Sequence, residues 1–259
     1  MRAAERGDAG AQRTVGVFYL RGVGTQVSVE QARRWLNVAV LQGDPPAMVS
    51  LGGLILEHSS EESDQAQAVE LFERAATLGN VDAEYNLGVC LRRGFGGVRD
   101  YARAEHAYRS AANKGHRSAQ LALGSLKAHT ASGREDWLEV VHWYRLAADG
   151  GHPVAMMSLA RLYEGVAGVP AAVVPADRSA AVGLYNRALA AGHQEAAREL
   201  VRLGEQPRLG DAQARLGEQL RSGKQADLGV QARLGEQLRS GKQANLGEQA
   251  GSVEYAGGA

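Results

Sequence analysis

Cys90 is the only cysteine in the chain, so no intrachain disulfide and no cysteine-built metal site can form. Neither sign of charge is in excess, because 29 Lys and Arg face 29 Asp and Glu. The balance is also local: 22 basic and 23 acidic residues run to Gln206, and 7 and 6 follow. Without a basic or acidic half, nucleic acid and anionic membranes are poor partners. No apolar run reaches membrane-spanning length, and residues 1–7 lack the apolar centre of a signal peptide. That makes the cytoplasm the default compartment. Catalytic signatures such as HExxH and GxSxG are missing too. These absences predict a protein without cofactor, metal site or enzymatic activity.

What is present is a repeat. A glycine followed four residues later by an alanine recurs at Gly7/Ala11, Gly43/Ala47, Gly79/Ala83, Gly115/Ala119, Gly151/Ala155 and Gly192/Ala196. The glycines are 36 residues apart four times and then 41 apart. A fixed period of that size marks a solenoid of units that cannot bury their apolar faces alone.

Counting from each glycine aligns the units. Alanine at four, then Val15, Leu51, Leu87, Leu123, Leu159 and Leu200 at eight, and Phe18, Leu54, Cys90, Leu126, Leu162 and Leu203 at eleven form a helical stripe. This is helix A. At nine stand Gly16, Gly52, Gly88 and Gly124. A mid-helix glycine costs about 1 kcal/mol against alanine, so four in register predict close approach of a neighbouring helix backbone. Ser28, Asp64, Asp100, Asp136 and Asp177 predict the starts of a second helix, B. Its face alternates small and large residues, as in Ala68, Phe72 and Ala75 or Ala104, Tyr108 and Ala111. The repeat glycine then ends helix B. The fifth unit is longer, with its excess in the A–B loop over residues 164–176, which holds Pro170 and Pro175.

The third unit carries Ala83, Leu87, Gly88, Gly94, Gly96, Val98, Asp100, Ala104, Tyr108, Ala111 and Gly115. This pattern resembles the Sel1-like repeat, a relative of the tetratricopeptide repeat, over residues 1–205. The resemblance implies an all-α, right-handed α-solenoid of stacked helix-turn-helix units over residues 1–206, in which helix A lines a concave face. It also implies an adaptor that holds other proteins; some relatives are lumenal adaptors in endoplasmic-reticulum degradation, others bacterial signalling proteins. A cysteine-rich branch linked to β-lactam compounds pairs two cysteines per repeat, which this chain cannot do. Ala3 to Gly7 align with Ala75 to Gly79, the end of a helix B, so the chain opens in mid-repeat. A fragment of a larger secreted or lumenal adaptor is therefore the second expectation, and a small-molecule or cell-wall enzyme the last.

The resemblance maps the concave face to the third, sixth, tenth and thirteenth residues after each glycine. Arg13, Val17, Val49, Tyr85, Val89, Arg92, Leu121, Met157 and Arg161 stand there, including the aromatic, Met and Arg types enriched in interface anchors. They are the candidate site for a protein or peptide partner. Trp137, beside Asp136, is a further exposed candidate. Cys90 reads as a buried small hydrophobe, and His116, His152 and His193 as helix-start residues rather than metal ligands. The loops at Gly22/Gly24 and Gly94/Gly96 follow helices and lack the Lys-Ser/Thr of a phosphate cradle. Residues 207–259 form a low-complexity tail. In it 213–230 and 231–248 share sixteen of eighteen residues, which predicts two short capping helices or a mobile extension.

Overall fold

The turn from helix B into the next helix A sets the architecture. After each helix B the repeat glycine takes a left-handed conformation, with φ of 80°, 83°, 85°, 91° and 91° at Gly43, Gly79, Gly115, Gly151 and Gly192. The next residue then donates its amide hydrogen back to an alanine carbonyl in helix B. Asp44 reaches Ala39 at 3.2 Å, Asn80 reaches Ala75 at 3.0 Å, His116 reaches Ala111 at 3.1 Å and His152 reaches Ala147 at 2.9 Å. This is a Schellman ending, and only glycine adopts the required backbone without strain. The residue that closes helix B thus stands at the start of the next helix A.

The structure, a computed structural model, describes residues 1–165 and 174–206. Helices of type A are α2 (Ala9–Arg21), α4 (Pro45–His58), α6 (Val81–Arg93), α8 (Arg117–Thr130), α10 (Pro153–Tyr163) and α12 (Glu195–Arg202). Those of type B are α1 (Arg2–Glu5), α3 (Val29–Leu41), α5 (Glu62–Thr77), α7 (Tyr101–Asn113), α9 (Arg134–Asp149) and α11 (Arg178–Ala190). No strand occurs among the described residues. Each helix packs on the next in chain order, and helix A of one unit also touches helix A of the next, as α2 with α4 and α4 with α6. The result is an α-solenoid within one compact unit, Met1–Pro207. The tail and the loop centre with Pro170 lie outside the described residues.

The four mid-helix glycines do meet a close neighbour: the nearest atom is a side chain of helix B in each case, and at Gly16 the α3 backbone is close as well, with the Ala32 carbonyl oxygen 3.3 Å from where a Cβ would stand. A Cβ on Gly16 would stand 2.8 Å from Leu36, one on Gly52 2.8 Å from Phe72, one on Gly88 2.6 Å from Tyr108, and one on Gly124 2.7 Å from Tyr144. Each partner is the second large residue of helix B in the same unit. Real Cβ atoms do not approach so closely, so the glycine makes room for the leucine or the ring opposite.

The A–B loops close in a repeated way. Ser28, Asp100 and Asp177 each donate their amide hydrogen to the carbonyl of Tyr19, Leu91 and Tyr163, at 2.9, 2.9 and 2.8 Å. Their side chains then cap α3, α7 and α11. The other two expected caps differ. Helix α5 begins at Glu62 and α9 at Arg134, so Asp64 and Asp136 lie inside the first turn. Asp136 Oδ2 instead accepts from the amides of Ser132 and Gly133 at 2.9 and 3.0 Å. The earlier start of α9 also turns Trp137 inward, so the expected exposed tryptophan is 7% exposed and belongs to the core. Phe18 departs the other way. It is 43% exposed, whereas Leu54, Cys90 and Leu162 at the same register are buried.

Candidate functional site

In the first and third units the sixth residue after the glycine lies beside the residue that opens the next unit. Arg13 Nη1 meets Asp44 Oδ1 at 3.3 Å. The Tyr85 ring stacks on His116, with centroids 4.7 Å apart and planes 25° from parallel. The varied column along helix A therefore has a structural partner in the next turn, at least in the first and third units.

His116 is held from two sides. Its Nδ1 accepts from the Ala119 amide at 3.1 Å, which leaves Nε2 to carry the ring proton, and Nε2 lies 3.3 Å from Asp82 Oδ1. The expected helix-start role also holds for Asp8 and Asn80, which accept from Ala11 and Ala83. Asp44 and His152 occupy the cap position without a side-chain bond there, and His193 falls one residue before the cap, Gln194. His152 Nδ1 is buried without a hydrogen-bond partner. Burial, the Arg117 charge and the neighbouring histidines hold its pKa below the ordinary value. No group of three or more metal-ligating side chains forms among the described residues.

Around Tyr85 lies the most aromatic part of the column. Its ring centroid is 6.0 Å from that of Tyr108. Arg92 Nε donates to the Tyr108 hydroxyl at 3.4 Å, and the Arg93 guanidinium sits 5.6 Å from the Phe95 ring centroid. Burial raises the Tyr85 pKa, tempered by the charges of Arg92 and Arg93. Burial likewise pushes Tyr108 up to about 12. Cys90 is buried beside this cluster, and its thiol is pushed up to about 12, which removes it from thiolate chemistry.

The remaining candidates divide by burial and pairing. Val49, Val89 and Leu121 are half-buried and form a discontinuous apolar strip. Met157 is only 3% exposed and packs in the core around Leu159 and Tyr185, so its place on an open face is corrected. Arg161 is occupied as well. It pairs with Glu195 and Glu199 of α12, each at 3.1 Å, while Arg202 pairs with Glu199 at 2.7 Å and with Glu164. Glu164 also accepts from the Tyr185 hydroxyl. This network fastens α12 to the stack.

A second network was not legible from spacing. Lys127 of α8 lies 2.7 Å from Glu105 of α7 and 3.7 Å from Glu139 of α9, and Arg109 bridges the same two carboxylates at 2.9 and 2.7 Å. Partial burial pushes both carboxyl groups up. The bonds from Lys127 and Arg109 to Glu105, and from Arg109 and Trp143 to Glu139, outweigh it and leave both below the ordinary range. The Gly22/Gly24 and Gly94/Gly96 loops are turns with left-handed glycines. A Cβ on Gly96 would meet the Ala66 backbone at 2.6 Å, so this loop seats on α5 rather than cradling an anion.

Comparison with known proteins agrees with this geometry. The Sel1 repeat model matches residues 9–44, 45–80, 81–116, 141–152 and 153–193, more than half of the chain. Three solved structures are similar. One is c5321, a protective antigen of uropathogenic Escherichia coli with an SLR fold, at 26% identity and TM-score 0.64 over 78% of this chain and 42% of that one. A Sel1 repeat protein from Oxalobacter formigenes matches at 24% identity and TM-score 0.65, over 81% and 84%. A putative Sel1 repeat protein from Klebsiella pneumoniae matches at 21% identity and TM-score 0.51, over 79% and 97%. The chain thus spans less than half the length of the Escherichia coli protein. No curated protein matches by sequence.

Proposed function

The chain belongs to the Sel1 repeat family, and from that premise we propose that it is a non-catalytic scaffold whose helices A receive an extended peptide or a partner helix in a concave groove. Sel1 repeat proteins are in general protein-interaction scaffolds. The single observation that carries the reading is the contrast between a uniform interior and a varied helix-A column. Val49, Tyr85, Val89, Arg92 and Leu121 offer different chemistry at successive units and stay partly exposed. An extended ligand meets one unit after another, so a groove needs such variety. Arg13 and Arg161 take part only as paired charges at the groove's ends. Among the described residues no helix is long and apolar enough to cross a membrane.

The test is selection of binding peptides from a random display library against the purified chain, followed by Val49→Asp and Val89→Asp. Each variant is expected to lower affinity by about tenfold or more, measured at a temperature where circular dichroism shows the variant folded, because Val49 and Val89 also pack against the core. Peptides that bind both variants normally but are lost when residues 207–259 are removed refute the groove.

A further inference from the structure

Arg21, Arg117 and Arg198 of helices A are exposed and have no acidic partner among the described residues, but the half-buried Arg and Lys side chains on helices A are otherwise matched within the fold. Arg13 faces Asp44, Lys127 faces Glu105 and Glu139, and Arg161 faces Glu195 and Glu199. Arg92 and Arg93 differ, because neither has an acidic partner among the described residues. They are adjacent, half-buried and at the end of α6. Each is steadied by an aromatic group instead: Arg92 by the Tyr108 hydroxyl at 3.4 Å, Arg93 by the Phe95 ring at 5.6 Å. An arginine on an aromatic support is held in place while its outer N–H groups stay available, and a carboxylate satisfies that fork with two parallel bonds.

Resting on the groove reading above, we propose that the third unit is the acid-reading point of the scaffold: Arg92 and Arg93 bind a carboxylate of an acidic peptide segment, while the Tyr85 ring and Val89 take an apolar neighbour. Charge complementarity selects this occupant. A helix end with two unmatched, half-buried guanidinium groups has a deficit of negative charge, and every other half-buried Arg or Lys of helices A has had its deficit filled from within. The patch is too small for nucleic acid, whose affinity comes from many phosphates neutralised along a basic track, and the chain as a whole is neutral. A peptide carrying Asp or Glu beside an apolar or aromatic residue fits both halves of the cluster.

The experiment uses the peptides selected above against the whole chain. Sequencing is expected to find Asp and Glu enriched next to apolar residues. For one such peptide, fluorescence anisotropy of the chain with Arg92→Ala and Arg93→Ala is expected to lose about tenfold or more in affinity. Changing the peptide's acids to amides gives a similar loss, and a Lys-bearing peptide recovers binding to Arg92→Glu with Arg93→Glu. Arg34→Ala, on the exposed side of α3 and outside the groove, serves as the control and changes affinity less than about twofold. Neutral or basic selected peptides that still fail on Val89→Asp overturn the acid reading and leave the groove standing. Acidic peptides indifferent to both the arginine and valine variants overturn both. A single-stranded oligonucleotide that binds more tightly than the acidic peptide, and is lost with the arginines, overturns the peptide assignment.

Discussion

Inside the first four units, the seam between helices A and B is solved the same way each time. A glycine at the ninth position yields to the large residue opposite, Leu36, Phe72, Tyr108 or Tyr144. Between units, at the stacked turns, the solution changes every time. Gln12 donates to the Ala4 carbonyl at 3.0 Å and accepts from Gln42 at 2.6 Å. Glu84, at the same register, pairs with Lys114 at 2.6 Å. Gln120 reaches the Ala112 carbonyl at 3.2 Å, but Gly150 stands where Gln42 or Lys114 would, and its Oε1 is left without a partner. Met48 and Met156 replace these polar groups in the second and fifth units and are buried. The seam is a volume problem with a rigid answer, whereas the turn is a pairing problem that any matched couple can satisfy.

The comparison breaks first if the seam is tolerant. Phe72→Ala, at a ring 1% exposed, is expected to cost about 3–5 kcal/mol by urea denaturation. Gly52→Leu is expected to cost about 1–3 kcal/mol through overpacking against that ring. Wild-type midpoints for both would show that the seam is not close-packed.

At the turn the expected effect is smaller and reversible by matching. Lys114→Ala strands the Glu84 carboxylate, which is buried, and is expected to cost about 1–3 kcal/mol. Replacing the couple as Glu84→Met with Lys114→Leu copies Met48 and Leu78 of the second unit and is expected to restore most of it. A double-mutant cycle with no coupling between the two positions would contradict the pairing.

The smallest effect is electrostatic. Glu105 and Glu139 titrate below the ordinary glutamate value of 4.5 in the fold. A depressed carboxyl stabilises the fold above its unfolded pKa, and that contribution is lost as pH falls through the folded one. The melting temperature should therefore fall as pH drops below about 4.5, with Glu105→Gln and Glu139→Gln together flattening the fall. An unchanged profile in the double variant would show that the Lys127–Arg109 network contributes no acid sensitivity.

The helices, their order and their buried stripe were legible because a helix repeats its face every few residues, and five units with a sixth helix A repeat it again. Leu51, Leu123, Leu159 and Leu200 at the eighth position are all buried. The helix start of α9 was misread because Asp136 looks like a cap, yet its carboxylate binds the amides ahead of it from inside the first turn. Trp137 was misread with it. Of the candidate column, the partial exposure of Val49, Tyr85, Val89 and Leu121 was legible from register. Whether Met157 is covered and Arg161 spoken for depends on residues distant in the chain, Tyr185, Glu195 and Glu199, which no local pattern connects.

What the residues alone determined is the unit: its length, its two helices, and a left-handed glycine after helix B where a side chain would strain the turn. These rest on backbone geometry and on helical spacing, both local. Tertiary structure decided what fills the glycine notch, which charges are matched and which arginines remain unmatched. Those answers need distances between residues about thirty positions apart, such as Glu84 and Lys114, and only stacking one turn upon the next brings them within reach.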